Sequence, residues 1–150
     1  MRRRTFLQLA ASAAAGSSWA LARSGGIDLQ SCAVVLSASS GAREAKAAQV
    51  LVEEAQKRCG VLWPVRRAEA GNAAGSAPAT IYLATGRSAE KLGRSFDLSS
   101  ILPRPLPPDG FLLHSGRDGG RGSGDWILAL GADERGLLFG VGKLLRLIDF

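Results

Sequence analysis

The chain has 150 residues, 46% of them hydrophobic, and a formal net charge of +6. This length suits one small domain and excludes a (β/α)8 barrel, which takes about 250 residues. The charge does not indicate a nucleic-acid binder. Lys and Arg are spread along the chain instead of gathering with stacking aromatics on one face, and beyond the N-terminus only Lys57-Arg58 and Arg66-Arg67 are adjacent pairs.

The N-terminus reads as an export signal. Arg2, Arg3 and Arg4 form a positive region, Phe6 to Trp19 is an Ala-rich apolar run, and Ala20-Leu21-Ala22 is a small-residue cleavage site. Arg3-Arg4-Thr5-Phe6-Leu7 resembles the twin-arginine signal R-R-x-F-L, which directs export of folded proteins in bacteria. An ordinary Arg-rich secretory signal is the alternative. Either places the mature chain in the periplasm or outside the cell. The apolar run falls short of the ~20 residues a membrane span needs, so no membrane association is expected after cleavage. Removing residues 1–22 takes away three arginines and no acid, and lowers the formal charge from +6 to +3.

Residues 23–30 read as a flexible lead-in and 31–150 as one domain. Cys32 to Ala38 is a strand with apolar residues on both parities, as expected of a strand covered on both faces. Ala42 to Arg58 is a helix, with Ala45, Ala48, Leu51, Val52 and Ala55 on its apolar stripe and Arg43, Glu44, Lys46, Glu53, Glu54 and Lys57 polar. Gly60 is its stop. Val61 to Ala68 is a weaker strand, which Pro64 places toward a sheet edge. Ala79 to Thr85 is rich in β-branched and aromatic residues and reads as a strand. A short helix starts at Ser88 as N-cap. Residues 97–108 hold four of the six prolines and read as loop. Phe111 to Ser115 and Trp126 to Gly131 are strands joined by a glycine-rich tip, GRDGGRGSG, and form an antiparallel hairpin. The last helix is capped by Asp133, with Leu137, Val141, Leu144 and Ile148 on one stripe.

The order β-α-β-β-(α)-β-β-α predicts an α+β fold: a mixed sheet of about five strands with two main helices. The first helix makes a crossover between parallel strands, and the last two strands add an antiparallel edge. Gly136, Gly140 and Gly142 each cost roughly 1 kcal/mol in a helix interior. Gly136 and Gly140 share a face, so close approach of a neighbouring element is the expected reason. The Gly140-Val141-Gly142-Lys143 run lacks the earlier Gly and the following Ser/Thr of a phosphate loop.

Residue types for chemistry are sparse. His114 is the sole histidine, on a strand and without a G-x-S-x-G nucleophile elbow in the chain. No H-E-x-x-H or C-x-x-C spacing suggests a metal. Asp118 and Asp125 flank the glycine tip and read as solvated loop carboxylates, and Gly120-Arg121-Gly122 is followed by a strand where a dinucleotide motif needs a helix. Cys32 begins a strand and Cys59 ends the returning helix, which brings both to one edge of the domain. In an oxidising compartment they can pair, a loop closure worth about 3–4 kcal/mol in the chain-entropy model; two small buried thiols are the alternative. No cofactor is expected.

The closing segment, Arg135-Gly136-x-x-Phe139-Gly140-x-x-x-Leu144-Leu145, with Ile148 beyond, resembles R-G-x-x-Y-G-x-x-x-L-L-x-x-L. That pattern ends the N-terminal α+β domain of α-glucuronidases (glycoside hydrolase family 67) and of family 20 β-N-acetylhexosaminidases. Phe139 stands for its Tyr, Asp133 lies in the preceding turn, and Asp109-Gly110-Phe111 resembles the E-G-F that opens a strand there. The resemblance implies a zincin-like topology without the metal site and a non-catalytic accessory domain, residues 31–150. Its partner would be a catalytic (β/α)8 barrel in a longer or neighbouring chain. No catalytic residue carries over, because in those enzymes the acids lie in the barrel. The alternative is a stand-alone periplasmic carbohydrate-binding module using Trp63, Tyr82 or Trp126.

Overall fold

A computed structural model describes residues 6–7, 26–68, 77–92, 96–102, 104–117 and 124–149. Its elements are β1 (Phe6–Leu7), β2 (Ile27–Asp28), β3 (Cys32–Leu36), α1 (Ala42–Cys59), β4 (Val65–Arg67), β5 (Ala79–Thr85), a 3-10 turn (Ala89–Lys91), α2 (Leu98–Ile101), β6 (Phe111–Arg117), β7 (Asp125–Gly131), α3 (Glu134–Leu147) and β8 (Ile148–Asp149). The fold is α+β, with a five-stranded mixed sheet in the order β4-β3-β5-β7-β6. β3 is parallel to β4 and β5, β5 is parallel to β7, and β6 alone runs antiparallel, paired with β7 from Phe111–Gly131 to Arg117–Asp125. A separate small sheet joins β2, β1 and β8.

The alternation of side chains across the strands divides the interior into two cores. Val34, Leu36, Ile81, Leu83, Ile127 and Ala129 face α1 and α3, which cover one side of the sheet with Leu51, Ala55, Leu137, Val141 and Leu144. Val35, Tyr82, Ala84, Leu128 and Leu130 face the other way, under Leu92, Phe96, Leu98, Ile101 and Leu106 from the segment after β5. Each fully buried aliphatic side chain contributes about 1.5–3 kcal/mol of transfer free energy. α1 ends where Gly60 takes the left-handed conformation (φ 72°) and its N–H donates to Gln56 O at 2.9 Å, a backbone shape that suits glycine.

Several details differ from the sequence reading. The expected lead-in over 23–30 is packed at its C-terminal end: Ile27 and Leu29 are buried, and the Trp63 indole N–H donates to Leu29 O at 2.8 Å. The strand expected over Val61–Ala68 shortens to β4, because Trp63 turns into the core and Pro64 has no N–H to pair. β4 does occupy an edge. β7 lies inside the sheet beside β5, so the antiparallel edge is β6 alone. The helix expected at Ser88 is a single 3-10 turn, since the Ser88 hydroxyl is engaged elsewhere and caps nothing. The proline-rich stretch contains α2, whose N-cap Asp97 accepts from Ser100 N at 3.3 Å. Six residues of the glycine tip, 118–123, including Asp118, lie outside the described residues, as do Arg3, Arg4, Ala20 and Ala22.

Candidate functional site

The two segments that carry the sequence resemblance meet in space. Asp133 is the N-cap of α3: Oδ1 accepts from Gly136 N at 2.8 Å, and Oδ2 accepts from Asp109 N at 3.0 Å. These two N–H groups hold the Asp133 carboxyl below the usual carboxylate range. Asp109 has φ 60°, so this non-glycine residue sits in the left-handed region, and its carboxylate lies 3.4 Å from the exposed Arg135 guanidinium. Gly110 O accepts from Ala132 N at 2.8 Å. Gly136 lies so close to Gly110 O that a Cβ there would overlap it, and a Cβ on Gly140 would stand 3.3 Å from Phe111 Cβ. Asp133, Gly136 and Gly140 thus lock the turn before β6 onto α3. Leu144 and Leu145 are buried below them, and Phe139 projects outward.

A second polar cluster lies at the carboxyl ends of β3 and β5. The chain leaves β3 toward α1 on one face and leaves β5 toward the other face. Crevices at such divergence points are where open α/β sheets hold ligands. Here the place is filled by Glu44, 4% exposed. Its Oε2 accepts from Gly41 N at 2.8 Å; its Oε1 accepts from Thr85 N (3.1 Å), Thr85 Oγ1 (3.0 Å) and Ser88 Oγ (2.5 Å). Burial pushes the carboxyl up, but these bonds outweigh it and hold it below its ordinary range. Glu44, read from the sequence only as one of the polar residues of this helix, therefore ties α1 to β5 as a buried, charged structural strut. The signal was present: Glu three residues after a helix N-cap is the acidic half of a capping box.

The remaining candidates do not converge. His114 is half-buried on β6, its ring tilted against Trp126 at 5.5 Å, and Nδ1 is buried without a partner; desolvation lowers its pKa. Asp125 is held by Arg117 across the hairpin, with Nε to Oδ1 at 2.5 Å and Nη2 to Oδ2 at 3.1 Å. Trp63 and Tyr82 are core residues and Trp126 is partly buried. Among the described residues, no group of three His, Cys, Asp or Glu side chains is placed to hold a metal ion, and no helix is long and apolar enough to cross a membrane.

The expected bridge between Cys32 and Cys59 is not made; both are free. Cys59 Sγ turns back along its helix to Ala55 O (2.9 Å), while Cys32 Sγ lies in the core against Ala33 O (3.4 Å). Burial pushes the Cys32 thiol up to about 12, which suppresses the thiolate that disulfide exchange requires. Native protein treated with iodoacetamide at neutral pH is expected to take one label, at Cys59, and a second only on unfolding. Mass spectrometry of peptides reads this directly, and an unlabelled Cys59 released by reductant would restore the bridge.

No family model matches the chain, and no curated protein matches it. Among solved structures, it is similar to a family GH115 4-O-methyl-α-glucuronidase with specificity for decorated arabinogalactans, at 17% identity and a TM-score of 0.47. The similarity covers 77% of this chain and 13% of that protein.

Proposed function

We propose that residues 31–150 form a non-catalytic accessory domain of an exported carbohydrate-active enzyme, of the α-glucuronidase or β-N-acetylhexosaminidase type, which packs on a catalytic barrel in a longer or neighbouring chain. The observation that carries this reading is the outer face of α3. Leu138 and Phe139 stand 45% and 49% exposed on the helix whose opposite stripe is the core. Adjacent exposed apolar side chains on a well-packed helix suit an interface. The segment that resembles the enzymes' accessory domain is this same helix, and its polar residues serve the fold: Asp133 caps, and its neighbours pack. The alternative, a stand-alone carbohydrate-binding module, is less well supported, because Trp63 and Tyr82 are buried and offer no stacking plane. Export on the twin-arginine-like signal belongs to the same proposal. Cleavage after Ala22 removes β1 and frees the edges of β2 and β8.

The test starts from a barrel encoded downstream of this chain or beside it. Co-expressed with that barrel, the chain is expected to co-elute on size exclusion. Leu138→Lys with Phe139→Lys should abolish co-elution without lowering the melting temperature. Co-elution that survives the double substitution counts against the α3 face. A chain that binds xylan or chitin fragments by calorimetry and ignores the barrel favours the binding module.

A further inference from the structure

Among the described residues, the β4 edge of the main sheet pairs with no further strand and has the features of a peptide acceptor. Val34 N donates to Pro64 O and Ala68 N donates to Leu36 O, with Val35 opposite Arg66. A parallel ladder therefore uses positions 64, 66 and 68 of the edge strand, and alternation turns the N–H and C=O of Val65 and Arg67 outward. Edge strands in native proteins are usually blunted or covered, because an open row of donors and acceptors invites another strand. Beside this edge runs a groove of about 380 Å³ between β4 and α1, floored by Leu36, Ala45, Val52 and Val65. Leu62, 68% exposed, and Val65, 45% exposed, continue the apolar surface.

Charge selects the occupant. Arg66 and Arg67 both line the groove. Arg67 donates to Ser40 O at 2.9 Å, so neither guanidinium meets a carboxylate among the described residues. Glu53, the acidic lining residue, is engaged by Gln49 Nε2 at 2.6 Å. A second copy pairing edge to edge would oppose arginine to arginine, which disfavours self-association. We propose that β4 receives, by strand addition, an extended segment of a partner protein that alternates acidic and apolar side chains. Its backbone pairs with Val65 and Arg67, its apolar side chains enter the groove on the α1 side, and its carboxylates, on the opposite face, meet Arg66. This is the recognition mode in which main-chain bonds give affinity and alternate side chains give selectivity. The inference does not depend on the α3 interface, which lies on another element.

The probes are two peptides of about eight residues, the length of an ordinary strand: one alternates Asp and Val, the other Lys and Val. They are titrated into the full chain and followed by amide NMR. The Asp peptide is expected to shift and protect the Val65 and Arg67 amides from exchange, and to bind about tenfold more tightly than the Lys peptide, as charge complementarity at an interface implies. Arg66→Glu, on an exposed side chain, should reverse that order. Equal affinity for both peptides overturns the proposal, as does a binding shift that leaves the Val65 and Arg67 amides unprotected. Concentration-dependent dimerisation that protects the same amides without peptide would assign the edge to a second copy and overturn it equally.

Discussion

Glu44→Ala is expected to destabilise the fold by about 3–5 kcal/mol, because it removes a buried charged acceptor and leaves its donors behind. Gly41 N loses its bond to Oε2, and Thr85 Oγ1 and Ser88 Oγ lose the strongest acceptor near them. For a chain of this length the loss corresponds to a fall in melting temperature of about 10 °C. Glu44→Gln separates charge from shape. Its carbonyl oxygen can keep the Thr85 and Ser88 bonds, but its NH2 then faces Gly41 N–H, donor against donor. A cost of about 1–3 kcal/mol is expected. The carboxyl of Glu44 lies below its ordinary range in the folded chain, so its stabilisation is complete above the unfolded value near pH 4.3 and is lost as pH falls through the folded one. Urea titrations between pH 3 and 7 should therefore show wild type and Glu44→Gln converging at the acid end. Asp97 and Asp133 are also lowered, so it is the difference between the two curves that reports on Glu44. Parallel curves would mean that the Glu44 carboxylate makes no charged contribution to stability.

Much of the scaffold could be read from local pattern. Ala79–Thr85 announced itself through β-branched and aromatic residues. α1 and α3 showed helical periodicity, with Gly60 closing the first and Asp133 opening the second. What escaped was nonlocal. Nothing in Asp125–Gly131 says that its neighbour is β5 as well as β6, since alternation records burial and not partners. Glu44 looked like one more polar residue on a charged helix. Its capping position was legible, but its burial depends on Thr85 and Ser88, which lie 41 and 44 residues downstream. The cysteines failed for a related reason. Topology returns the two ends to one side of the domain, but disulfide formation depends on side-chain direction, and Cys59 Sγ points along its own helix.

The glycines of α3 give the sharpest contrast between helix propensity and packing. Propensity alone makes each Gly→Ala change stabilising by about 0.8–1.0 kcal/mol. Packing ranks the three positions differently. At Gly142 a Cβ would meet only Arg146 Nη1 at 3.8 Å, the far end of a flexible side chain, so Gly142→Ala should raise the melting temperature. At Gly140 it would stand 3.3 Å from Phe111 Cβ and 3.4 Å from two ring atoms. The half-buried ring can shift by a few tenths of an ångström, so Gly140→Ala should be near neutral, while Gly140→Leu overpacks and costs about 1–3 kcal/mol. At Gly136 the Cβ would overlap Gly110 O, with Asp109 C and Gly110 C each at 3.1 Å. These are backbone atoms with no freedom to retreat: Gly110 N donates to Pro107 O (2.8 Å), Gly110 O accepts from Ala132 N (2.8 Å), and Asp109 N is held by Asp133 Oδ2 (3.0 Å). Relief at Gly136 would have to break that set, so Gly136→Ala is expected to cost about 3 kcal/mol, the upper end for overpacking. Thermal melts of the three alanine variants should fall in the order Gly142→Ala, Gly140→Ala, Gly136→Ala, with wild type near the second. A Gly136→Ala variant as stable as wild type would show that the turn before β6 yields, and that the lock between the two resembling segments is not rigid.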